Sequence, residues 1–316
     1  MQRVGKTLDK ISVVIPCYRS ASMLPEVVSR TINVLNNKNY EIILVNDGSP
    51  DETFSVICEL AHGNKCIIGI NLAKNFGQQS AIMTGLHYAT GNIIVCMDDD
   101  GQTPPEAIPQ LVEGLDDDYD VVYARYAHKQ HSGFRNFGSY INDIMACQLI
   151  NKPRGIYLSS FFAIKRYMVN EVLRYNGAFV YLPGLILRST NRVRNVDVEH
   201  HARLEGASGY SFKNLLKIWL NGFTAFSIKP LRLADIVGCA IAGIGFLYLI
   251  YTIVMYFHHP GTVEGWNSLM AVLLILGGSI MLMLGMIGEY LGRVYISLNS
   301  APQYVVRDVV RNNEEN

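Results

Sequence analysis

Three consecutive aspartates, Asp98-Asp99-Asp100, follow an apolar run at residues 92–97. Neighbouring carboxylates repel one another unless a cation or hydrogen-bond donors compensate their charge. Asp98 and Asp100 supply the hard oxygen ligands that Mg²⁺ and Mn²⁺ prefer, and Gln102 adds an amide oxygen close by. The pattern predicts a site for a divalent cation that bridges the phosphates of a diphosphate. From these residues alone, a solvated turn is the alternative.

Polar residues also follow two other apolar runs of the chain. Tyr18 comes shortly after the first run, and Asp47-Gly48-Ser49 comes directly after the second. Ligands of parallel α/β sheets bind at the carboxyl ends of the strands, so we expect these residues to share one crevice with the aspartates. The other triple aspartate, residues 116–118, ends a helical pattern with no strand before it, which is typical of a solvated surface.

The elements that must position these residues alternate between short apolar runs and helical patterns. The runs predict buried strands at 11–16, 41–46, 66–71, 92–97 and 120–123. The helical patterns lie at 22–36, 51–61, 78–89 and 105–115. This alternation, with continuous β-branched runs, predicts an α/β domain with a mostly parallel sheet covered on both faces.

The composition excludes several classes of protein. Of 316 residues, 49% are hydrophobic and only 17% are charged, which argues against global disorder. Lys and Arg number 27, as do Asp and Glu, so the chain has no net basic field and we expect no nucleic acid partner. Neither a dinucleotide-binding glycine fingerprint nor a P-loop is present. The six cysteines lack metal-ligand spacing and are predicted to be buried, reduced side chains.

The chain changes character near residue 230. Segments 233–257 and 269–291 each carry one charge near an end and reach the roughly 20 residues that cross a hydrocarbon core as a helix. The connecting loop has no Lys or Arg, whereas basic residues precede and follow the pair, so both termini are expected in the cytoplasm. Residues 211–226 predict an amphipathic helix in the membrane interface. The alternative for that segment is a helix packed on the soluble domain.

Four segments carry a resemblance to a known family: residues 12–24, 41–53, 74–89 and 91–106. They resemble family 2 glycosyltransferases with a GT-A fold. The branch that they resemble most is the polyprenyl-phosphate hexose transferases, which includes dolichol-phosphate mannose synthases and the bacterial undecaprenyl-phosphate glucosyl and aminoarabinose transferases. The likeness continues, in the same order, through residues 201–212, 229–232 and 288–295.

The resemblance implies a role for each matching residue. Asp98 and Asp100 would be the DxD pair that meets the diphosphate through Mg²⁺ or Mn²⁺, with Gln102 beside them. Further residues would contact the substrates: Pro16, Tyr18 and Asp47 the base and ribose, and Arg203, Ser208 and Arg135 the phosphates. Asp98, Asp100, Arg203 and Arg135 are therefore the predicted catalytic residues.

The chain also departs from the family pattern at several positions. Asp99 replaces a small residue and adds a carboxylate to the predicted substrate site. Arg19-Ser20-Ala21 stands where Asn-Glu-Glu is usual, and Gly209 follows Ser208 where many relatives have lysine. Ile156 occupies the position of an aspartate that several relatives carry.

The function implied by the resemblance is sugar transfer, with inversion, from a nucleoside diphosphate sugar, by default UDP-linked, to polyprenyl (undecaprenyl) phosphate. The enzyme would lie in the bacterial inner membrane, with its catalytic domain in the cytoplasm, and would form a homo-oligomer. Four parts are predicted: a GT-A domain (1–205), an interface segment (206–232), a transmembrane hairpin (233–291) and a cytoplasmic tail (292–316).

Other functions stay open at this point. One is a catalytically inactive, membrane-bound homologue that binds nucleotide sugars, and another is a family 2 transferase with a different acceptor. A processive polysaccharide synthase usually carries a Gln-x-x-Arg-Trp motif, which this sequence lacks. A nucleotidylyltransferase would leave the two apolar segments unexplained.

Overall fold

The computed structural model describes residues 10–126, 152–198, 229–258, 265–298 and 302–312. The chain divides into two compact units. The first comprises residues 1–209 together with 301–316, and the second comprises residues 210–300. The first unit is an α/β domain and the second contains two long helices, as the sequence pattern predicted.

One sheet of eight strands organises the first unit. In chain order, its strands are β1 (Ile11–Cys17), β2 (Tyr40–Asn46), β3 (Ile67–Leu72), β4 (Ile93–Cys96), β5 (Val121–Tyr126), β6 (Phe162–Lys165), β7 (Val193–Val198) and β8 (Val306–Arg311). The order across the sheet is β7-β5-β6-β4-β1-β2-β3-β8. Strands β6 and β8 are antiparallel to their neighbours, and the other pairs are parallel. The sheet is therefore mostly parallel, which confirms the predicted fold class.

Helices connect the strands and cover the sheet. They are α1 (Leu24–Leu35), α2 (Thr53–Gly63), α3 (Gln78–Tyr88), α4 (Ile108–Glu113), α5 (Arg166–Val172) and α6 (Leu182–Ser189). A 3₁₀ turn at Pro105–Ala107 precedes α4, so the predicted helix at 105–115 is shorter and begins irregularly. Every residue of the central strand β1 is buried, as expected for a parallel strand with helices on both faces.

The C-terminal residues differ from the prediction of a separate cytoplasmic tail. Strand β8 pairs antiparallel with β3 and forms one edge of the sheet. Its sequence, VRDVVR, alternates only weakly and has charges on an exposed edge, so its composition resembles that of a solvated tail. The chain therefore leaves the first unit, forms the two long helices, and then returns to complete the sheet.

The second unit consists, in its described part, of helices α7 (Lys229–His258) and α8 (Trp266–Leu298). Their apolar windows, Ile236–Met255 and Ile275–Gly292, have mean hydropathies of 2.2 and 1.5 and no buried share. Both helices are long and apolar enough to cross a membrane. The predicted amphipathic helix at 211–226 lies outside the described residues.

Candidate active site

Asp98 lies just beyond the end of β4, and two neutral side chains donate hydrogen bonds to its carboxylate. Gln78 Nε2, on the first turn of α3, donates to Oδ1 at 2.7 Å, and Ser160 Oγ donates to Oδ2. Burial raises the pKa of Asp98; the Ser160 bond opposes that shift, and the charges of Asp100 and Asp99 add to it, leaving a pKa of about 6. A bound cation would relieve the unfavourable charge that burial and the neighbouring carboxylates create.

Asp99 connects the carboxyl ends of two neighbouring strands. Its Oδ2 accepts a hydrogen bond of 3.0 Å from the backbone N–H of Tyr18, which follows β1. Burial raises the pKa of the Asp99 carboxyl, although the bond from Tyr18 opposes the shift. The carboxylate that departs from the family pattern therefore helps to hold the loop after β1.

Asp100 begins a tight turn. Its Oδ1 accepts a 3.0 Å hydrogen bond from the backbone N–H of Gln102, and Gly101 between them has a φ of +71°. Thr103 Oγ1 donates to the carbonyl oxygen of Asp98 and closes the turn. The structure thus shows Gln102 supporting Asp100 through its backbone, whereas the predicted role of its side chain as a ligand stays a prediction.

The donor set fits a cation that is shared with a substrate. In the part of the chain that the structure describes, no group of three or more His, Cys, Asp or Glu side chains is placed to hold a metal ion. Mg²⁺ in phosphate-transfer sites often has only one or two protein carboxylates and takes its other ligands from phosphates and water. Asp98 and Asp100 correspond to such an incomplete protein set.

Asp47 holds the turn after β2 against the segment that precedes α3. Its Oδ1 and Oδ2 accept hydrogen bonds of 2.7 and 2.9 Å from the backbone N–H groups of Phe76 and Gly77. Burial raises the pKa of the Asp47 carboxyl, and both N–H bonds oppose that shift. Gly48 has a φ of +59°, and a Cβ there would lie 2.4 Å from the carbonyl carbon of Lys74. The site thus depends on glycine at this position.

A cavity of about 190 Å³ unites several of the predicted residues. It is lined by Pro16, Cys17, Tyr18, Asp47, Asn75, Gly77, Gln78 and Asp99. The predicted nucleotide residues Pro16, Tyr18 and Asp47 thus share one cavity with Asp99. Tyr18 is 44% exposed, so its ring is available to a ligand that enters.

A second cavity, of about 550 Å³, is connected to Asp98 through Ser160. Its lining includes Tyr123, Lys152, Ile156, Ser160 and Tyr181. Tyr123 is 1% exposed, and among the described residues its hydroxyl has no hydrogen-bond partner. Ile156 places an apolar side chain in this wall. The cavity therefore combines apolar surface with a few polar groups beside the acidic turn, as small-molecule sites commonly do.

The remaining predicted site residues, Arg135, Arg203 and Ser208, lie outside the described residues. Conversely, Gln78 and Ser160 contact Asp98, and sequence reasoning had not assigned them a role. Gln78 lies within residues 74–89, one of the segments that resemble the family. That resemblance is a weak sequence signal for a role of Gln78 at the site. Ser160 precedes a four-residue strand and has no motif of its own.

Two family models match this chain. Residues 12–173 match the family described as glycosyl transferase family 2, and this range includes every cavity residue named above except Tyr181. The chain belongs to glycosyl transferase family 2. Residues 229–294 match a second model, the GtrB C-terminal hairpin, which coincides with α7 and most of α8. The protein is thus a family 2 glycosyltransferase with a helical hairpin.

Curated relatives of this family 2 transferase match along nearly the whole chain. It is 35% identical to an undecaprenyl-phosphate 4-deoxy-4-formamido-L-arabinose transferase of Photorhabdus laumondii, over 98% of this chain and 97% of that protein. It is 34% identical to the enzyme of the same name from Proteus mirabilis, over 96% of this chain and 94% of that protein.

A solved structure shares the fold of the catalytic domain. The mannosyl-3-phosphoglycerate synthase of Rubrobacter xylanophilus superposes with a TM-score of 0.51 at 15% identity, covering 71% of this chain and 74% of that one. At this identity the likeness concerns the fold alone, which is the GT-A fold.

Proposed function

We propose that this family 2 transferase moves a sugar from a nucleoside diphosphate sugar, UDP-linked by default, to undecaprenyl phosphate with inversion at the anomeric carbon. The observation that carries the proposal is the acidic turn at the end of β4, which lines the smaller cavity through Asp99 and is hydrogen-bonded through Asp98 to Ser160 in the wall of the larger one. Similarity to undecaprenyl-phosphate transferases over nearly the full chain supports the choice of acceptor.

The smaller cavity suits the nucleotide. Pro16 and Tyr18 offer apolar surface for a base, and Asp47 offers carboxylate oxygens for ribose hydroxyls. Asp99 lies on the same wall, where its bond to the Tyr18 N–H keeps the loop in place. The cavity is too small for a whole nucleotide sugar, so the diphosphate and sugar extend beyond it toward Asp98.

Asp98 and Asp100, with Gln102 beside them, would hold Mg²⁺ or Mn²⁺ against the diphosphate. A cation held there would neutralise charge on the diphosphate as the bond to the sugar breaks. Gln78 and Ser160 fix the Asp98 carboxylate from the protein side. Since both donors are neutral, the carboxylate keeps its negative charge available for the cation.

The larger cavity suits the sugar and the reacting phosphate. An oxygen of the lipid phosphate forms a bond to the anomeric carbon while the bond to the diphosphate breaks, and the electron pair leaves with the nucleoside diphosphate. A phosphate monoester has a second pKa of about 6 and is largely ionised at neutral pH, so the attacking oxygen needs no general base. Ile156 in the cavity wall is compatible with this chemistry. Arg135, Arg203 and Ser208 are the candidates for holding the phosphates.

The helical hairpin is proposed to anchor the enzyme in the bacterial inner membrane, with spans at 233–257 and 269–291. Strands β1–β7 precede the hairpin in the chain and β8 follows it, yet all belong to one sheet. This connectivity supports the proposal that both ends of the hairpin lie on one side of the membrane, with an even number of crossings. The basic residues that flank the hairpin support the cytoplasm as that side. Segment 206–232 would lie in the interface, and a homo-oligomer remains a prediction.

The test is radiolabel transfer in detergent with the full chain, undecaprenyl phosphate and Mg²⁺ or Mn²⁺. The donor panel should include UDP-glucose, GDP-mannose and UDP-4-deoxy-4-formamido-L-arabinose. A labelled lipid that EDTA abolishes is the expected product, and the donor that gives it identifies the sugar. Absence of a labelled lipid with every donor, in protein shown to be folded, would overturn the proposal in favour of an inactive homologue.

A further inference from the structure

A row of polar side chains crosses the sheet from its C-terminal edge to the proposed donor site. Asp308 on β8 pairs in register with Asn71 on β3, Asn71 pairs with Asn46 on β2, and Asn46 pairs with Cys17 on β1. The row lies at the carboxyl ends of the three parallel strands. Tyr18 and Asp47, which line the smaller cavity, each follow this row by one residue.

Hydrogen bonds connect the row in one direction. Asn71 Nδ2 donates to Asp308 Oδ2 at 2.9 Å, and Asn46 Nδ2 donates to Asn71 Oδ1 at 2.8 Å. Asn46 Oδ1 then accepts a 3.3 Å bond from the backbone N–H of Ser49. The two asparagines are buried, with 3% exposure for Asn46 and 8% for Asn71.

Ser49, which is hydrogen-bonded to the Asn46 end of the row, holds the loop after β1. Ser49 Oγ accepts a 2.8 Å hydrogen bond from the backbone N–H of Arg19, whose φ is +56°. A positive φ is uncommon for a residue other than glycine and needs support from its surroundings. The hydrogen bonds thus extend from β8 to the turns after β1 and β2. These turns contribute Tyr18 and Asp47 to the smaller cavity.

The direction of these bonds follows from the chemistry of Asp308. An ionised carboxylate only accepts hydrogen bonds, whereas an asparagine amide can turn to present either its oxygen or its NH₂ group. Asp308 therefore makes Asn71 present its NH₂ group to β8 and its oxygen to Asn46. Asn46 in turn presents NH₂ to Asn71, which leaves its oxygen for the Ser49 N–H. If the Asn71 and Asn46 amides were both reversed, the Asn46 NH₂ group would face the Ser49 N–H, and two donors cannot form a hydrogen bond.

We propose that Asp308 is a positioning residue for donor binding. It sets the orientation of the Asn71 and Asn46 amides and thereby holds the Ser49 turn beside the nucleotide cavity. The proposal rests on the proposed function only in naming the ligand of that cavity. Strand β8, which follows the helical hairpin and lies at one end of the row, would thereby contribute to the site at the other end.

The first measurement is backbone amide hydrogen exchange of the full chain in detergent, which needs no donor. Asp308→Leu removes the acceptor and Asp308→Asn keeps an oxygen but not the charge. We expect faster exchange in peptides covering residues 17–20 and 47–51 for Asp308→Leu, with a smaller increase for Asp308→Asn. Asp197→Leu is the matched control, because Asp197 lies on the other edge strand, β7, and pairs with Arg125 at the surface.

The segments in which exchange increases distinguish a loss of positioning at the two turns from simple loosening of the β8 edge of the sheet. Loosening of β8 alone would increase exchange in residues 67–72 and 306–311 only, and that result would overturn the proposal. The second measurement is UDP affinity by calorimetry with Mn²⁺. Asp308→Leu should raise the Kd for UDP on the order of fivefold, about the net worth of one hydrogen bond, and Asp197→Leu should leave it unchanged. If wild-type protein transfers no sugar, the exchange result still tests the amide row independently.

Discussion

Single side chains around Asp98 show how the site manages concentrated negative charge. Each of the three aspartates has a different partner: neutral side chains for Asp98, the Tyr18 N–H for Asp99, and the Gln102 N–H for Asp100. Donors of this kind orient the carboxylates without cancelling their charge. The protein thus keeps a negative site ready for a cation, at the cost of the raised pKa of Asp98.

Substitution of Asp98 by Asn tests this arrangement. The amide has nearly the same shape but loses the charge and one acceptor oxygen, so we expect transferase activity to fall by a hundredfold or more, on the order found when one preorganised electrostatic contact is removed. The measurement is the initial rate of lipid labelling at saturating Mn²⁺. Asp117→Asn, in the exposed aspartate run at 116–118, is the control and should retain wild-type activity.

Gly48 provides a second test at a single position. Alanine there must adopt a φ near +59° and its Cβ would meet the backbone of Lys74, so we expect a loss of about 1–3 kcal/mol or more of stability. Gly63→Ala is the matched control, because nothing lies within 4 Å of a Cβ at that position. Thermal unfolding of both variants in detergent measures the difference; equal unfolding temperatures would contradict the described conformation of the turn.

Strands and helices differ in how well the sequence predicts them. Strands β1 to β4 carry continuous β-branched runs, and Tyr18, Asp47 and Asp99, which follow three of these strands, line the smaller cavity. Strands β6 and β8 could not be predicted in the same way. The first has four residues, and the second is short, charged and paired with a strand more than 200 positions earlier. Partners such as Ser160 come from these non-local contacts, for which a local pattern gives no signal.

Glu41 on β2 connects three segments at the amino ends of the strands. It accepts hydrogen bonds from Lys10 Nζ and Ser12 Oγ at 2.6 Å and from the Thr90 N–H at 2.6 Å. Burial raises the pKa of the Glu41 carboxyl, but these bonds outweigh burial and leave the pKa below its ordinary value. The ionised carboxylate therefore stabilises this end of the sheet, at a distance along the strands from the site.

Glu41→Gln should destabilise the protein by about 2 kcal/mol, the range for a hydrogen-bonded buried charge. This corresponds to a fall of roughly 4–8 °C in Tm for a domain of this size. The contribution of a carboxyl with a lowered pKa is fully present above its unfolded pKa, about 4.3, and is lost as the pH falls through the folded value. The Tm difference from wild type should therefore be full at pH 6 and shrink only as the pH falls below about 4.3, so that it is smaller at pH 3. Glu59→Gln, on the exposed face of α2, should show no difference at either pH.

The chain runs from the α/β sheet through the two apolar helices and then back to the same sheet. Because β8 returns to the sheet after α8, the catalytic domain is connected to both ends of the hairpin. In the proposed function the lipid phosphate stays at the membrane, so a site anchored there would meet it at a raised effective concentration. The apolar helices were predictable from composition alone, whereas the return of the chain to the sheet was not.

Reporter fusions test the proposed topology. A fluorescent protein fused after residue 316 should be fluorescent in bacterial cells, and alkaline phosphatase inserted within residues 259–264 should be active, since that loop lacks Lys and Arg. Phosphatase fused after residue 316 is the control and should be inactive. Activity of that C-terminal fusion would contradict a cytoplasmic C-terminus.

The most direct test of sugar transfer to a lipid phosphate is the stoichiometry between released nucleoside diphosphate and glycosylated lipid. Purified full-length protein is incubated with the donor identified by the panel, with and without undecaprenyl phosphate, and both products are quantified by mass spectrometry. We predict one released nucleoside diphosphate for each lipid-linked sugar, and no release without the lipid beyond a slow background. Equal release in the absence of undecaprenyl phosphate, or release without a glycosylated lipid, would contradict the account.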